Sequence, residues 1–262
     1  MSAIDDYNQG TKEGRGQGRF SDYLPWLFIK NVPSCAVRSR IYSRKFGRIL
    51  HLMSNAEVLT LFRLDWDDSV VEVREQFPLH PELTNYISHQ LKVRPAGYSR
   101  GGIVMTTDFL VTYVKGKGTV LKAYQVKDKR AALDKRTQTK LVIEQRYWKA
   151  KGVESKLLLA EDFKPVFSDN LRSLFPFRNL ACKPEDLGYW DAELRTIARR
   201  SPQLSVDQLM TIDLPASPGI GLAEHALNAL KILAGHKRWL FPIKTTPFLS
   251  CTLSDFEVCH AC

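Results

Sequence analysis

GIVMTTDFLVTYVKGKGTVLKAYQVKD, residues 102–128, holds two runs rich in Thr, Val, Tyr and Leu on either side of Lys-Gly-Lys-Gly. β-Branched and aromatic side chains suit a pleated surface, and glycines let a chain reverse within a few residues, so the stretch predicts a β hairpin. Asp108 falls near the middle of the first strand, and Gln125 and Lys127, two residues apart, project from one face of the second. Upstream, Ser54 stands three residues before Glu57, and Val58, Leu61, Phe62 and Leu64 follow at helical spacing. This is a capping-box pattern, and it places Glu57 in the first turn of a helix. VVEVREQFPL, residues 70–79, has strand composition and ends at Pro78. Downstream, residues 133–152 (LDKRTQTKLVIEQRYWKAKG) read as an amphipathic helix stopped by Gly152, and SKLLLAED, residues 155–162, as a short buried strand. Helix, strands, helix, strand describe a mixed α/β domain over residues 21–168.

Residues 1–20 carry four glycines, mixed charge and little to bury, which predicts a flexible N-terminal arm. Beyond the α/β domain, residues 183–200, 205–212 and 217–235 read as helices, and 239–258 as a hairpin interrupted by proline. That order predicts a small, mostly helical, winged-helix-like C-terminal domain over residues 169–262.

Lys and Arg number 38 against 28 acids, giving a formal net charge of +10. Such an excess favours a polyanionic partner, because each phosphate neutralised releases condensed counterions. Arg38, Arg40, Arg44, Lys45 and Arg48 occur together without an acid and form the candidate DNA-binding cluster. The five cysteines are odd in number and unevenly spaced, which fits a reducing cytoplasm better than a disulfide framework. Cys251, Cys259 and Cys262 with His260 resemble half of a zinc site whose second knuckle is missing. No apolar run of about 18 residues stands in the sequence and the first residues are polar, so neither a membrane span nor a signal peptide is expected. Gly219 and Gly221 lack the Gly-Lys-Ser/Thr ending of a phosphate-binding loop, so no nucleotide cofactor is expected. The five tryptophans are scattered and read as core anchors.

Hydrolysis of a phosphodiester asks for a divalent ion, hard oxygen ligands to hold it, and a group that orients water and counters developing charge. Glu57 and Asp108 supply carboxylates, Gln125 an amide oxygen and Val126 a backbone carbonyl, while Lys127 positions water. An acid, a hairpin and then Gln-x-Lys form the PD-(D/E)xK arrangement, with Gln in the second acidic slot and Thr-Asp in place of Pro-Asp.

The stretches KEGRGQGRFSDYLPWLFIKNVPS (12–34), SRIYSRKFGRILHLMSNAEVLTLF (39–62), REQFPL (74–79), TDFLV (107–111), YQVK (124–127) and EQRYWKAKG (144–152) resemble, in order, those of TnsA, the endonuclease family of heteromeric transposases. The resemblance implies a restriction-endonuclease-like fold with Glu57, Asp108 and Lys127 as catalytic residues and Gln125 beside them. It further implies magnesium between the acids, replaceable by manganese, and cleavage of the 5′ ends of a transposon in a bacterial cytoplasm. A TnsB-type transposase would act on the 3′ ends, and a TnsC-type AAA+ ATPase would engage the C-terminal domain. Asp67 is a second-rank acid. On the residues alone, a non-catalytic DNA-binding adaptor and a free-standing restriction or repair nuclease remain alternatives.

Overall fold

The computed structural model describes residues 2–31, 37–97, 102–214 and 225–259. Cys35, Gly219, Gly221, His260 and Cys262 lie outside the described residues, and with them half of the zinc-site candidate. The chain divides into two compact units, residues 1–162 and 163–262.

The first unit is built on the sheet that the hairpin predicts. Strands β3 (Val70–Pro78), β4 (Thr106–Lys115), β5 (Gly118–Lys127) and β6 (Glu154–Leu159) lie in that order. The first three are antiparallel neighbours, and β5 pairs with β6 in parallel. The β4–β5 turn is Gly116-Lys117, and Gly116 takes a φ of 59°, the left-handed region that glycine enters at no steric cost. A parallel pair needs a long crossover, and α4 (Lys129–Leu133) with α5 (Lys135–Ala150) provides it. Leu110 and Ala123, opposite one another in the ladder, join Ile87 of α3 (Pro81–Gln90) and Ile143, Tyr147 and Trp148 of α5 in one buried cluster. Each large apolar side chain so buried contributes roughly 1.5–3 kcal/mol.

Ahead of the sheet, β1 (Ser39–Ser43) and β2 (Arg48–Leu52) form a hairpin, and α2 (Asn55–Trp66) follows. Leu50 and Leu52 are fully buried while Ile49 is half-exposed, the period-two pattern of a strand that an all-basic reading of this stretch passes over. Ser54 caps α2 by accepting from the Glu57 N–H. The reciprocal bond of the expected capping box runs to the Met53 amide, one residue upstream of the cap.

The expected flexible arm has structure instead. Ser2 and Asp5 form a true capping box that starts α1 (Ala3–Lys12), whose Tyr7 stacks on Trp26 with ring centroids 5.6 Å apart. Gly10 lets that helix lie on the Trp26 ring, because a Cβ there would stand 2.3 Å from a ring carbon. Arg19 then closes a two-pronged ion pair on Glu72, which also takes the Phe20 amide. Three of the four glycines read as a sign of mobility allow close approach instead: besides Gly10, Gly16, at φ 71°, leaves room for Pro78, and Gly18 for the Asp22 carbonyl.

In the second unit, α6 (Pro165–Arg178), α7 (Pro184–Arg200) and α8 (Ala226–Gly235) surround buried Trp190, Leu194, Leu230 and Trp239. The unit boundary at Asp162/Phe163 precedes the expected one at 168 because α6 belongs to the second unit whole. The expected helix at 205–212 is a five-residue 3-10 helix, Asp207–Thr211. The expected long hairpin reduces to two-residue strands, β7 (Trp239–Leu240) and β8 (Glu257–Val258). Pro242 and Pro247 cannot donate to a ladder, and the intervening chain is held by packed Phe241, Phe248 and Phe256 and by buried Asn170, which bonds Ile243 O, Thr246 O and Phe248 N.

Candidate active site

The β4–β5 ladder stops at the Phe109–Tyr124 pair. Backbone groups beyond that rung still need partners. Asp108 Oδ2 accepts from the Val126 N–H at 2.7 Å, and Gln125 Nε2 donates to Thr106 O at 2.9 Å. Two of the four candidate side chains are therefore fixed by standing in for missing rungs. Lys127 Nζ donates to Asp108 Oδ2 at 2.8 Å, Gln125 Oε1 at 2.8 Å and Val126 O at 2.9 Å, so its three donors are all used. A carboxylate, an amide oxygen and a main-chain carbonyl converge on one cationic centre, which is the donor set that a hard cation requires. These are the oxygens that the sequence nominates as metal ligands on this hairpin.

Glu57 comes to the same place from α2. Its carboxylate accepts from Met53 N at 2.9 Å, Ser54 Oγ at 3.0 Å and Gln76 Nε2 at 3.2 Å. Burial raises its proton affinity, and the facing negative charge of Asp108 raises it further. Lys127 is disfavoured as an ion by burial, yet the charge and hydrogen bond of Asp108 prevail and hold its pKa above the ordinary lysine value. Among the described residues no three His, Cys, Asp or Glu side chains gather into a metal-binding group. The oxygen set here is two carboxylates completed by an amide and a carbonyl.

Two further residues join the site. Glu144 of α5 is buried, accepts from Thr107 Oγ1 at 2.6 Å, and lines a cavity of about 240 Å³ together with Asp108, Gln125 and Lys127. Burial pushes its carboxyl up to about 8, against the opposing Thr107 hydrogen bond. A signal for it existed: Tyr147 and Trp148, three and four residues on, belong to the apolar face of the helix, so Glu144 is an acid on the buried side. Gln76 bridges Glu57 and Thr106, donating to the first and accepting from Thr106 Oγ1 at 3.2 Å. It does so with a φ of 49° in the midst of a strand, a strained conformation that no sequence pattern announces.

The basic cluster does not form one surface. Arg48 is buried, its guanidinium bonded to both Glu75 carboxylate oxygens at 2.9 and 2.5 Å and to Val73 O at 2.6 Å, so its charge is spent inside the protein and not on the surface. Lys45 donates to the carbonyls of Asp65 and Asp67 where α2 ends, and Arg38 donates to Ile29 O at 2.6 Å. Arg40 and Arg44 are exposed on the β1–β2 hairpin. Asp67, the second-rank acid, is exposed and closes a turn by accepting from Ser69 N and Oγ. Among the described residues no helix is long and apolar enough to cross a membrane.

A mixed α/β domain that brings two carboxylates, an amide oxygen and a lysine to the open end of a hairpin has the parts of a phosphodiester-cleaving nuclease. The model of a family described as "TnsA-like endonuclease N terminal" matches residues 67–159, a span that takes in Asp108, Gln125, Lys127 and Glu144. The chain is also 33% identical over 219 residues to the Transposon Tn7 transposition protein TnsA of Escherichia coli, covering 84% of this chain and 80% of that protein. The chain belongs to the TnsA family of transposition endonucleases.

Proposed function

We propose that the chain is a magnesium-dependent endonuclease that cuts the 5′ ends of a transposon, with Glu57, Asp108, Gln125 and Lys127 as its cleavage site. The observation that carries this reading is the convergence of Asp108, Gln125 and Val126 oxygens on the Lys127 ammonium, beside buried Glu57. The same oxygens, with Glu57, would hold magnesium, or manganese in its place. When bound, the metal supplies Lewis acidity toward a phosphate oxygen. Lys127, kept charged by Asp108, is suited to counter negative charge on the phosphate, and Gln76 with Ser54 keeps the Glu57 carboxylate facing Asp108.

In this reading the first unit has a restriction-endonuclease-like core. The second, with two helices followed by a short antiparallel pair, is a winged-helix-like module that engages a TnsC-type ATPase. A TnsB-type transposase is the partner that cuts and joins the 3′ ends, and Arg40 and Arg44 contact the DNA. Asp108→Ala tests the site. It is expected to abolish 5′-end cleavage in the assembled reaction while leaving the circular dichroism spectrum and partner association unchanged; a variant that still cuts places the site elsewhere.

A further inference from the structure

A second cavity, of about 340 Å³, lies against the first two turns of α5 and is lined by residues 93–96, by Lys135, Arg136, Thr139 and Lys140, and by Ile143. Four of the lining residues, Arg94, Lys135, Arg136 and Lys140, are cations, and none is a carboxylate. Lys140 also lines the cavity that holds Asp108, Lys127 and Glu144, so one residue borders both cavities.

Folding alone does not account for this arrangement. Arg136 and Lys140 are four residues apart on one helix face, a like-charge pair that destabilises a helix. Lys135 and Arg136 sit in the first turn of α5, where the positive end of the helix dipole disfavours cations. The carboxylate nearest in sequence, Asp134, is engaged as the helix cap on the Thr137 amide at 2.8 Å. Burial, and then the charges of Arg136 and Lys127, hold the Lys140 pKa below the ordinary lysine value despite Asp134. A cationic cluster that is costly to the free protein and shares Lys140 with the cavity of the candidate site fits an anion that arrives with the substrate.

We propose that this cavity is a docking site for DNA backbone phosphates adjacent to the scissile one, with Arg136 and Lys140 as its principal contacts. The two residues stand about 6 Å apart along the helix at 1.5 Å per residue. That span matches one or two steps of a strand whose nucleotides rise about 3.4 Å each. The site directs the strand along α5 into the Asp108 cavity, and it rests on the endonuclease reading of that cavity.

The full chain is titrated with a short duplex in the absence of divalent ions across a salt series, as wild type, Arg136→Gln, Lys140→Gln and the double variant, with Lys117→Gln at the far turn of the hairpin as control. Each lost phosphate contact is expected to lower the slope of log K against log salt by about 0.9, and the double variant by about twice that. The control is expected to match wild type. In the assembled cleavage reaction, a neutral methylphosphonate beside the cut is expected to slow wild type and to add nothing to the defect of Lys140→Gln. Unchanged slopes in both variants overturn the proposal and leave the cavity to an acidic protein partner, as does undetectable duplex binding by the wild-type chain at low salt. Asp108→Ala decides the catalytic reading separately: lost cleavage with unchanged slopes removes the phosphate site alone, whereas a variant that still cuts removes the catalytic assignment whatever the slopes show.

Discussion

Glu57 and Glu144 are buried carboxylates set against Asp108, and burial favours the protonated form of each. For Glu144 the folded value of about 8 lies above the unfolded one near 4.5. Its contribution to stability is therefore fully present below pH 4.5 and is lost as pH rises through 8. Glu144→Gln keeps an oxygen for the Thr107 hydroxyl and cannot ionise. With metal chelated, urea unfolding should show the variant about as stable as wild type at pH 5 and more stable at pH 9, by at least about 1 kcal/mol given about 1.4 kcal/mol per unit of displacement. Parallel pH curves for the two proteins would remove the argument. Gln125 is the other informative residue, because a neutral amide binds magnesium more weakly than a carboxylate. Gln125→Glu is expected to tighten magnesium binding, about tenfold by calorimetry if one charged ligand is worth about 1.4 kcal/mol; unchanged affinity would mean that position 125 does not touch the ion. Asp108 and Lys127 were legible because their spacing on a hairpin carries chemical meaning. Glu144 was half-legible from its helix face, and Gln76 was hidden because backbone strain leaves no mark on side-chain pattern.

Elements were legible in proportion to how local their causes are. The β4–β5 hairpin, α2 and α5 are written in turn residues, caps and periodicity within about 20 positions. The β1–β2 hairpin is not, and although Ser2 and Asp5 cap α1 locally, the seat of that helix on Trp26 is not either, because long-range partners decide them. Arg48 and Glu75, 27 residues apart, meet beneath β2, where Glu75 also takes the His51 amide and Arg48 lies 5.1 Å over the Tyr23 ring. A basic residue in a basic run thus turns inward for a reason that lies in another strand. Removing one partner of a buried ion pair leaves the other charge unpaired, so Arg48→Ala should cost about 3–5 kcal/mol of stability. It should leave the salt dependence of DNA binding at its wild-type slope once the protein is folded. Wild-type stability with weakened duplex binding would return Arg48 to the DNA surface.

At the scale of the whole chain, every hydrogen bond of the candidate site joins residues between Met53 and Glu144. A core cluster of the first unit runs from Leu79 to Trp148. The second unit has its own fully buried Trp190, Leu194, Leu209 and Leu230. Each unit thus contains the apolar surface it needs, and each is within the size at which a domain folds alone. A chain ending at Asp162 should unfold in one cooperative transition and bind duplex DNA with the salt slope of the full protein, since Arg136 and Lys140 remain. It should not give 5′-end cleavage in the presence of the partner proteins if the second unit is the docking module proposed for it. Partner-stimulated cleavage by the truncated chain would move that docking surface onto the first unit. A truncated chain without a cooperative transition would show that the two cores are not energetically separate, and the division at Asp162 would then describe contacts and not folding units.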